Sequence, residues 1–253
     1  MNKELLWDIF GVTGAVFTGA TFLFFLLWRM RQKRARKVPK TTVLELHLEG
    51  DLPEVRSEGL LAQLSGGASL TMVGLVEALE RASKDKRVRA LVLRIGQPKF
   101  GWARVQEVRD AIERFRESGK PAFACVETFG EGGGGTALYF LATACDAIYM
   151  QPSGDLSITG LSTDAPFVKG ALAKLGFKPQ MDHRHEYKNA LNMFTEEGFT
   201  EAHRESTERL LESLFEQTVQ ATVASRGLEE QRVRDLVDGA PYSSEEALEF
   251  GLI

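Results

Sequence analysis

A run of twenty residues without a charged side chain, residues 9–28, lies close to the N-terminus and constrains the whole chain. As a helix rising about 1.5 Å per residue, it would cover about 30 Å, the thickness of a bilayer's hydrocarbon core. Trp7 and Trp28 bracket the run, where interfacial aromatic residues belong. A secretory signal has a shorter apolar region and ends in a small-residue cleavage site, whereas a basic stretch follows here. We therefore predict a tail at residues 1–8 and a retained transmembrane helix at residues 9–28.

The charge distribution separates a basic N-terminal part from an acidic body. Residues 1–40 hold eight Lys or Arg and two acidic residues, and the rest holds 23 basic against 33 acidic residues. Six of the basic residues directly follow the predicted span, and such residues tend to stay in the cytoplasm. Contact of this flank with anionic headgroups would not change the predicted side. This pattern predicts a single-pass protein of the cell membrane, with a basic juxtamembrane linker at residues 29–40 and a body at residues 41–253.

The acidic body also limits the possible partners. Nucleic-acid binding needs a basic face for phosphate contacts, so we expect no nucleic-acid partner. We expect the lipid bilayer to be a partner through the predicted span. The sequence carries no motif that indicates a cofactor.

Hydrophobic periodicity in the body alternates between strands and helices. Leu44, Leu46 and Leu48 alternate with polar residues, which is typical of a half-exposed strand. The apolar run at residues 90–93 is typical of a parallel strand covered on both faces. Two further short strands are predicted, and amphipathic helices lie between the strands; the ranges are 70–84 (helix), 105–115 (helix), 122–126 (strand), 137–145 (helix) and 147–150 (strand). The pattern predicts an α/β domain with a largely parallel sheet and flanking helices.

The remaining segments are predicted with less regular patterns. Residues 50–68 are rich in Gly and Ser and indicate a loop, after which Ser69 or Thr71 could cap a helix. The C-terminal part is predicted to be mainly helical, and its ranges are 156–161 (strand), 166–175 (helix), 177–184 (extended), 200–225 (the longest helix), 229–237 and 244–250 (short helices).

Several motifs have a structural explanation beside a functional one. The glycine run at residues 130–135 lacks the Gly-Lys-Ser/Thr of a phosphate-binding loop, so a tight turn or a backbone lining a peptide or acyl site is favoured. His183-x-His185 has no third ligand at useful spacing, and an exposed strand edge explains it equally well; we expect no bound metal. Cys125 and Cys145 lie in apolar segments and are predicted to be inert core residues.

Lys188 lies in residues 186–190, after a predicted extended stretch and before an apolar patch. Desolvation in an apolar site disfavours an ammonium. A neutral amine can act as general base for a hydroxyl nucleophile. An exposed surface lysine is the alternative interpretation of this spacing.

Four segments in a fixed order resemble the signal peptide peptidase A family over roughly residues 42–253. They are LVLRI at 91–95, SGKP at 118–121, YFLATACDAIY at 139–149 and EYKNA at 186–190. Members of this family are membrane-anchored Ser/Lys proteases with a ClpP/crotonase-like fold. The resemblance implies a serine endopeptidase that degrades cleaved signal peptides, with Lys188 as general base and short apolar peptides as substrates. It also implies a body outside the cytoplasm, which conflicts with the basic flank.

The resemblance also marks departures from a complete active site. Thr136 occupies the position of the family's nucleophilic serine, and residues 97–101 (QPKFG) replace the Ser-Pro-Gly-Gly that supplies oxyanion N–H groups. In the long form of the family, two similar domains lie in tandem, with the lysine in the first and the serine in the second. The active site forms where they meet, in a ring-like tetramer. This chain resembles the first domain with its membrane anchor, so the serine would come from a second domain or subunit of a homo-oligomer.

Three other hypotheses remain at this point. The domain could be a non-catalytic scaffold or peptide-binding module of a membrane protease complex, since the serine is absent. Thr136 could itself act as the nucleophile, given an adjacent base. Acyl-CoA chemistry on a crotonase-like fold is the third, although no nucleotide-recognition motif supports it.

Overall fold

The computed structural model describes residues 19–29, 39–55, 70–130 and 134–253, and the chain divides into two units, Met1–Thr42 and Val43–Ile253. In the first unit residues 19–29 are helical, and their large apolar side chains are exposed. None of the helices in these described ranges is long and apolar enough to cross a membrane. Half of the predicted span at 9–28 lies outside them, as do the tail at 1–8 and most of the predicted linker and of the loop at 50–68.

Four strands in the order β1-β2-β3-β4 form the main sheet of the second unit. They are β1 (Thr42–Gly50), β2 (Val88–Pro98), β3 (Ala122–Val126) and β4 (Ala147–Met150). Strand β3 pairs in parallel with both neighbours, Leu91 lying opposite Ala122 and Phe123 opposite Ala147. The predicted α/β class with a largely parallel sheet is confirmed.

Three helices connect these strands in turn, namely α1 (Met72–Lys84), α2 (Trp102–Arg116) and α3 (Gly135–Ala142). Helix α1 begins at Met72, two residues after the predicted start, and Thr71, one of the two predicted caps, accepts a hydrogen bond from the Gly74 N–H. Helix α2 packs against both α1 and α3. The apolar stripes of α1 and α2 and nearly all of α3 are buried in one core with the inward side chains of the sheet.

The opposite face of the sheet is open among the described residues. In β1 the outward side chains of Val43, Glu45, His47 and Glu49 are exposed, which matches the predicted alternation. Strand β2 differs from its prediction, because Leu91 and Leu93 are fully buried while Val92 is only half-buried. The prediction that β2 is covered on both faces is wrong for this part of the chain: the helices cover one face only.

A second, two-stranded sheet pairs β5 (Asp155–Leu156) with β6 (Tyr242–Ser243) in antiparallel orientation. The predicted strand at 156–161 therefore ends at its first residue, and the predicted extended stretch at 177–184 forms no strand. Between β5 and β6 lie α4 (Lys169–Lys174), a 3₁₀ turn (Asn189–Leu191), α5 (Asn192–Thr195), α6 (Glu201–Arg226) and α7 (Glu230–Gly239). Helix α8 (Ser244–Glu249) follows β6.

Residues 161–217 form a segment that we call the arm. Every residue in this range is described, and Asn192 is the only buried one among them. Helix α6 belongs to both regions: its first half lies in the arm, while Thr218, Val219, Ala221 and Thr222 in its second half are buried. The arm therefore has little buried surface of its own and is joined to the body through α6, where Phe215 packs against the core.

Candidate active site

The N-terminal end of α3, where the family resemblance places the nucleophile, is tightly enclosed. Gly134 precedes the helix with φ 82°, a left-handed conformation that favours glycine. A Cβ on Gly135 would lie 2.6 Å from the Phe129 carbonyl oxygen and closer still to that of Ser157. The backbone conformation therefore explains Gly134, and close packing of the backbone explains Gly135.

Thr136 lies in the first turn of α3 and is 2% exposed. Its hydroxyl donates a hydrogen bond to the Gly160 carbonyl oxygen over 2.9 Å. The side chain thus connects α3 to the base of the arm, and its proton is directed at a backbone acceptor.

Three guanidinium groups bind the C-terminal end of α3 and the turn that follows it. Their bonds are Arg109 to the Phe140 carbonyl oxygen at 2.9 Å, Arg116 to that of Ala144 at 3.0 Å, and Arg226 to that of Cys145 at 3.1 Å. Positive charge at a helix C-terminus interacts favourably with the helix dipole and occupies its free carbonyls. The arginines come from α2 and α6, so sequence reasoning missed them: each stands in a helix whose pattern assigns it to a solvated face.

The segment that replaces the family's oxyanion loop already uses two of its N–H groups. The Gln97 N–H donates to the Glu49 carboxylate over 3.1 Å, and the Lys99 N–H donates to the Gly50 carbonyl oxygen over 2.7 Å. Both acceptors belong to β1, so this segment continues the sheet instead of forming a glycine loop.

Lys188 is exposed on the arm, immediately before the 3₁₀ turn. Its backbone N–H donates to the His185 carbonyl oxygen over 3.3 Å. It lines an open cavity of about 340 Å³ with seven other residues, and the eight are Asp182, His183, Arg184, Tyr187, Lys188, Asn189, Ala190 and Leu191. Ser, Thr and Cys do not occur in this lining, so the cavity brings Lys188 together with neither Thr136 nor another nucleophile.

Side chains on either side of Lys188 bind helix α6. The Tyr187 hydroxyl donates to the Glu205 carboxylate over 2.6 Å, and the Asn189 amide donates to the Ser206 hydroxyl over 2.8 Å. The bond to Glu205 raises the pKa of Tyr187, because the negative charge disfavours the phenolate. Sequence reasoning missed these contacts, since no local pattern connects residues so far apart along the chain.

His183, His185 and Cys145 lie in surroundings that explain them without a catalytic or metal-binding role. His183 and His185 do not share a strand face, because they lie in a turn in which His185 has φ 72° and its carbonyl oxygen contacts the His183 Nδ1 at 2.8 Å. No group of three His, Cys, Asp or Glu side chains among the described residues could hold a metal ion. Burial raises the pKa of Cys145 to about 12, as expected for an inert core thiol.

Cys125 departs from the predicted core position. It is half-buried and lines the open face of the sheet, in a cavity of about 750 Å³ that also includes His47, Arg94 and Tyr149. Neither Lys188 nor Thr136 lines this cavity.

Comparison with known proteins decides the family. Residues 114–253, more than half of the chain, match the sequence profile of Peptidase family S49. The chain belongs to this peptidase family. The match includes both α3 and Lys188, and it confirms the resemblance to signal peptide peptidase A that the ordered motifs indicated.

Relatives in this family are considerably longer than the chain. "Serine protease SPPA, chloroplastic" from Arabidopsis thaliana is 27% identical over 247 residues, which are 98% of this chain and 33% of the relative. "Protease 4" from Haemophilus influenzae is 25% identical over 235 residues, covering 88% of this chain and 37% of the relative. The chain thus spans about a third of the length of these relatives.

Among solved structures, the chain is similar to an enoyl-CoA hydratase/isomerase family protein from Silicibacter pomeroyi. The identity is 20%, the match covers 83% of this chain and 71% of the other, and the TM-score is 0.41.

Proposed function

We propose that this chain supplies the general base, Lys188, of a membrane-anchored Ser/Lys peptidase whose nucleophilic serine comes from a second domain or subunit. A ClpP/crotonase-like architecture and a role in degrading cleaved signal peptides accompany this proposal. The observation that carries it is the cavity around Lys188. That cavity is open, and its lining includes a candidate base but no hydroxyl or thiol of Ser, Thr or Cys.

The chemistry would be acyl transfer. The neutral Nζ of Lys188 takes the proton from the incoming serine hydroxyl while the serine oxygen attacks the peptide carbonyl. Backbone N–H groups of the assembled site stabilise the oxyanion of the tetrahedral intermediate. The lysine then gives its proton to the departing amine, and water hydrolyses the acyl-enzyme with the lysine again as base. Covering the cavity by a partner removes water from around the amine, which disfavours the ammonium form.

The proposed assembly is a homo-oligomer, a tetramer by family resemblance, in which cavities on the arms meet serine-bearing domains. Exposed apolar side chains on the arm support such contacts, and they include Leu175, Phe177, Met181 and Leu210. Short apolar peptides would bind in the apolar space that these contacts leave.

The N-terminal part is proposed to hold the protein at the membrane. The apolar side chains exposed at residues 22–28 suit a lipid environment better than water. The basic linker favours a cytoplasmic body and the family resemblance favours the opposite side. Protease digestion of a C-terminal tag in sealed membrane vesicles distinguishes the two orientations.

A non-catalytic scaffold is the second candidate function. The enclosed Thr136 and the engaged N–H groups of Gln97 and Lys99 favour it, since the hydroxyl at the nucleophile position and two N–H groups at the oxyanion position are already bonded within the domain. In that case the domain would bind peptide or a partner protease without taking part in turnover.

The test uses the full chain purified with its native assembly in mild detergent and a fluorogenic leucine-containing peptide. Lys188→Ala should lower kcat by about 10²–10⁴-fold, the usual contribution of a general base. Lys178→Ala, which removes another exposed lysine of the arm, serves as the matched control and should leave turnover unchanged. Turnover that survives in Lys188→Ala would contradict the proposal, and retained peptide binding without turnover in every form would favour the scaffold.

The same assay tests the hypothesis of a threonine nucleophile. Thr136→Ser keeps a hydroxyl and Thr136→Val removes it at similar volume. Turnover lost in Thr136→Val and kept in Thr136→Ser, in a preparation of the single chain that is active alone, would make the chain a complete enzyme and the split site wrong.

A further inference from the structure

Lys188 is an exposed side chain that would have to be held in one position to act as a general base. A lysine side chain has several rotatable bonds and loses much conformational freedom when it is ordered. A general base must lie within hydrogen-bond reach of the proton it takes. Between Leu161 and Gln217 only Asn192 is buried, so apolar packing contributes little to fixing Lys188.

We infer that Tyr187 and Asn189 are positioning residues that fasten both sides of Lys188 to helix α6. This inference rests on the proposed role of Lys188 as general base. Residues 187 and 189 bind Glu205 and Ser206, which are successive residues of α6. The backbone of Lys188 is thereby held at two points on one rigid element.

Tyr187 contributes through its hydroxyl, since the residue is 52% exposed and packs little against its neighbours. An exposed ring gains little from packing, whereas the bond from its hydroxyl to the Glu205 carboxylate has a charged acceptor and is 2.6 Å long. Hydrogen bonds to ionised groups are shorter and stronger than neutral ones. The bond closes a loop of the chain, since the two residues are 18 positions apart.

The second connection has consistent donor and acceptor roles. The Asn189 amide donates to the Ser206 hydroxyl, and that hydroxyl donates its own proton to the His203 carbonyl oxygen over 2.9 Å. Ser206 is therefore satisfied as acceptor and donor at once. Its orientation is determined by α6.

The part of α6 that receives these bonds is itself well fixed. Thr200 caps the helix by accepting from the His203 N–H over 3.3 Å, and the buried Asn192 donates to the same Thr200 oxygen. The Phe199 ring lies 4.7 Å from the His203 ring, centroid to centroid. The first turn of α6 is thus joined to the segment that follows Lys188.

Amide hydrogen exchange of the full chain in mild detergent tests the inference without requiring turnover. Tyr187→Phe and Glu205→Ala each remove the same hydrogen bond, and Tyr149→Phe on strand β4 is the matched control. Loss of one such bond should raise exchange rates at residues 185–191 about three- to tenfold and leave the sheet unchanged. The double variant should resemble either single variant, because both substitutions break one interaction.

Conservative replacement separates positioning from a general loss of structure. Glu205→Gln keeps an acceptor for the Tyr187 hydroxyl and should restore much of the protection that Glu205→Ala loses. In the active assembly, Tyr187→Phe should lower kcat with little change in KM, since it displaces the base and not the peptide. Asn189→Ala and Ser206→Ala form a second pair with the same expected behaviour.

The outcomes distinguish this inference from the proposal beneath it. Unchanged exchange at residues 185–191 in Tyr187→Phe and Asn189→Ala would overturn the positioning role, whatever Lys188→Ala does to turnover. Active Lys188→Ala with loosened exchange in Tyr187→Phe would overturn the catalytic proposal and also the claim that the fastening serves catalysis. Unaltered kcat in Tyr187→Phe beside inactive Lys188→Ala would overturn the positioning role alone.

Discussion

The core and the arm of the second unit are built in opposite ways. In the core, one face of the sheet and the inward sides of α1–α3 bury their apolar side chains in one cluster. In the arm, a single residue of residues 161–217 is buried, and side-chain hydrogen bonds connect its segments instead. Burial of apolar surface stabilises a fold, whereas exposed hydrogen bonds contribute little to global stability and mainly restrict local conformation. The difference indicates that stability lies in the core and the candidate chemistry in the arm.

Helix α6 links the two regions, since its residues 201–217 lie in the arm and its residues 218–226 lie in the body. Its second half buries Thr218, Val219, Ala221 and Thr222 in the body. Its first half receives the bonds from both sides of Lys188. One continuous helix therefore fixes the position of the candidate base relative to the core.

Matched leucine truncations give the largest expected contrast. Leu141 of α3 is fully buried, and Leu210 of α6 is 60% exposed on the arm. Leu141→Ala should lower the free energy of unfolding by about 2–5 kcal/mol, because it leaves a cavity in a packed core. Leu210→Ala should change it by less than about 0.5 kcal/mol. Guanidinium titration of the full chain in detergent measures both, and similar losses would contradict the division into core and arm.

Matched glycine substitutions should show a smaller contrast of the same kind. Gly135→Ala forces a methyl group against backbone oxygens of Phe129 and Ser157, so it should destabilise the chain by about 1–3 kcal/mol. Gly170 in α4 has nothing within 4 Å of the position of a Cβ. Gly170→Ala should stabilise slightly, by about 0.4–1 kcal/mol, because alanine restricts the unfolded chain. The midpoint of thermal unfolding distinguishes these opposite signs.

Loss of the hydrogen bond from Thr136 at the junction between core and arm should lower the free energy of unfolding by less than a core cavity does. Thr136→Val leaves the Gly160 carbonyl oxygen without its donor and should cost about 1–3 kcal/mol of unfolding free energy, whereas Thr136→Ser should retain most of it. Urea titration measures both variants. Equal stability of Thr136→Val and the wild type would show that the bond to Gly160 does not join the two regions.

Protonation of Asp146 at acid pH should lower the free energy of unfolding, and this is the smallest of the expected effects. Burial alone would raise the pKa of Asp146, but hydrogen bonds from Arg116 and the Ala122 N–H outweigh it and lower the pKa below its usual range. A depressed pKa stabilises the folded state above the unfolded value of about 3.9, and this stabilisation is lost as the pH falls through the folded pKa. As the pH is lowered below about 4, the denaturant concentration at the midpoint of unfolding should decrease, and it should decrease less steeply with pH for Asp146→Asn than for the wild type. Identical slopes would contradict this role.

Local patterns predicted the core well, because its strands and helices follow their own periodicity. The strands at 122–126 and 147–150 have the predicted bounds, and Thr71 caps α1 as one of two predicted residues. Helix α3 ends at Ala142, three residues before the predicted end, where guanidinium groups from α2 and α6 bind one carbonyl oxygen of the final turn and two of the residues that follow it. That ending depends on distant residues and has no local pattern.

The arm was predicted less well, because its conformation also depends on contacts between residues that are distant in the sequence. Residues 177–184 were expected to be extended, yet no neighbouring strand offers pairing among the described residues, and Phe177 and Met181 are exposed. The motif at 186–190 identified Lys188, but the bonds of its neighbours to Glu205 and Ser206 join segments that sequence periodicity cannot connect. Pairing of β5 with β6 also joins residues far apart in the chain.

The short ladder between β5 and β6 has a consequence for how such a chain can diverge. Asp155 lies opposite Ser243, so the chain between them, which includes the arm, begins and ends at one short ladder of the body. The entropy of closing a loop grows only slowly with its length. Insertions or deletions within residues 161–200 therefore need not disturb the register of either sheet, so the segment that carries Lys188 can change in length while the scaffold stays the same.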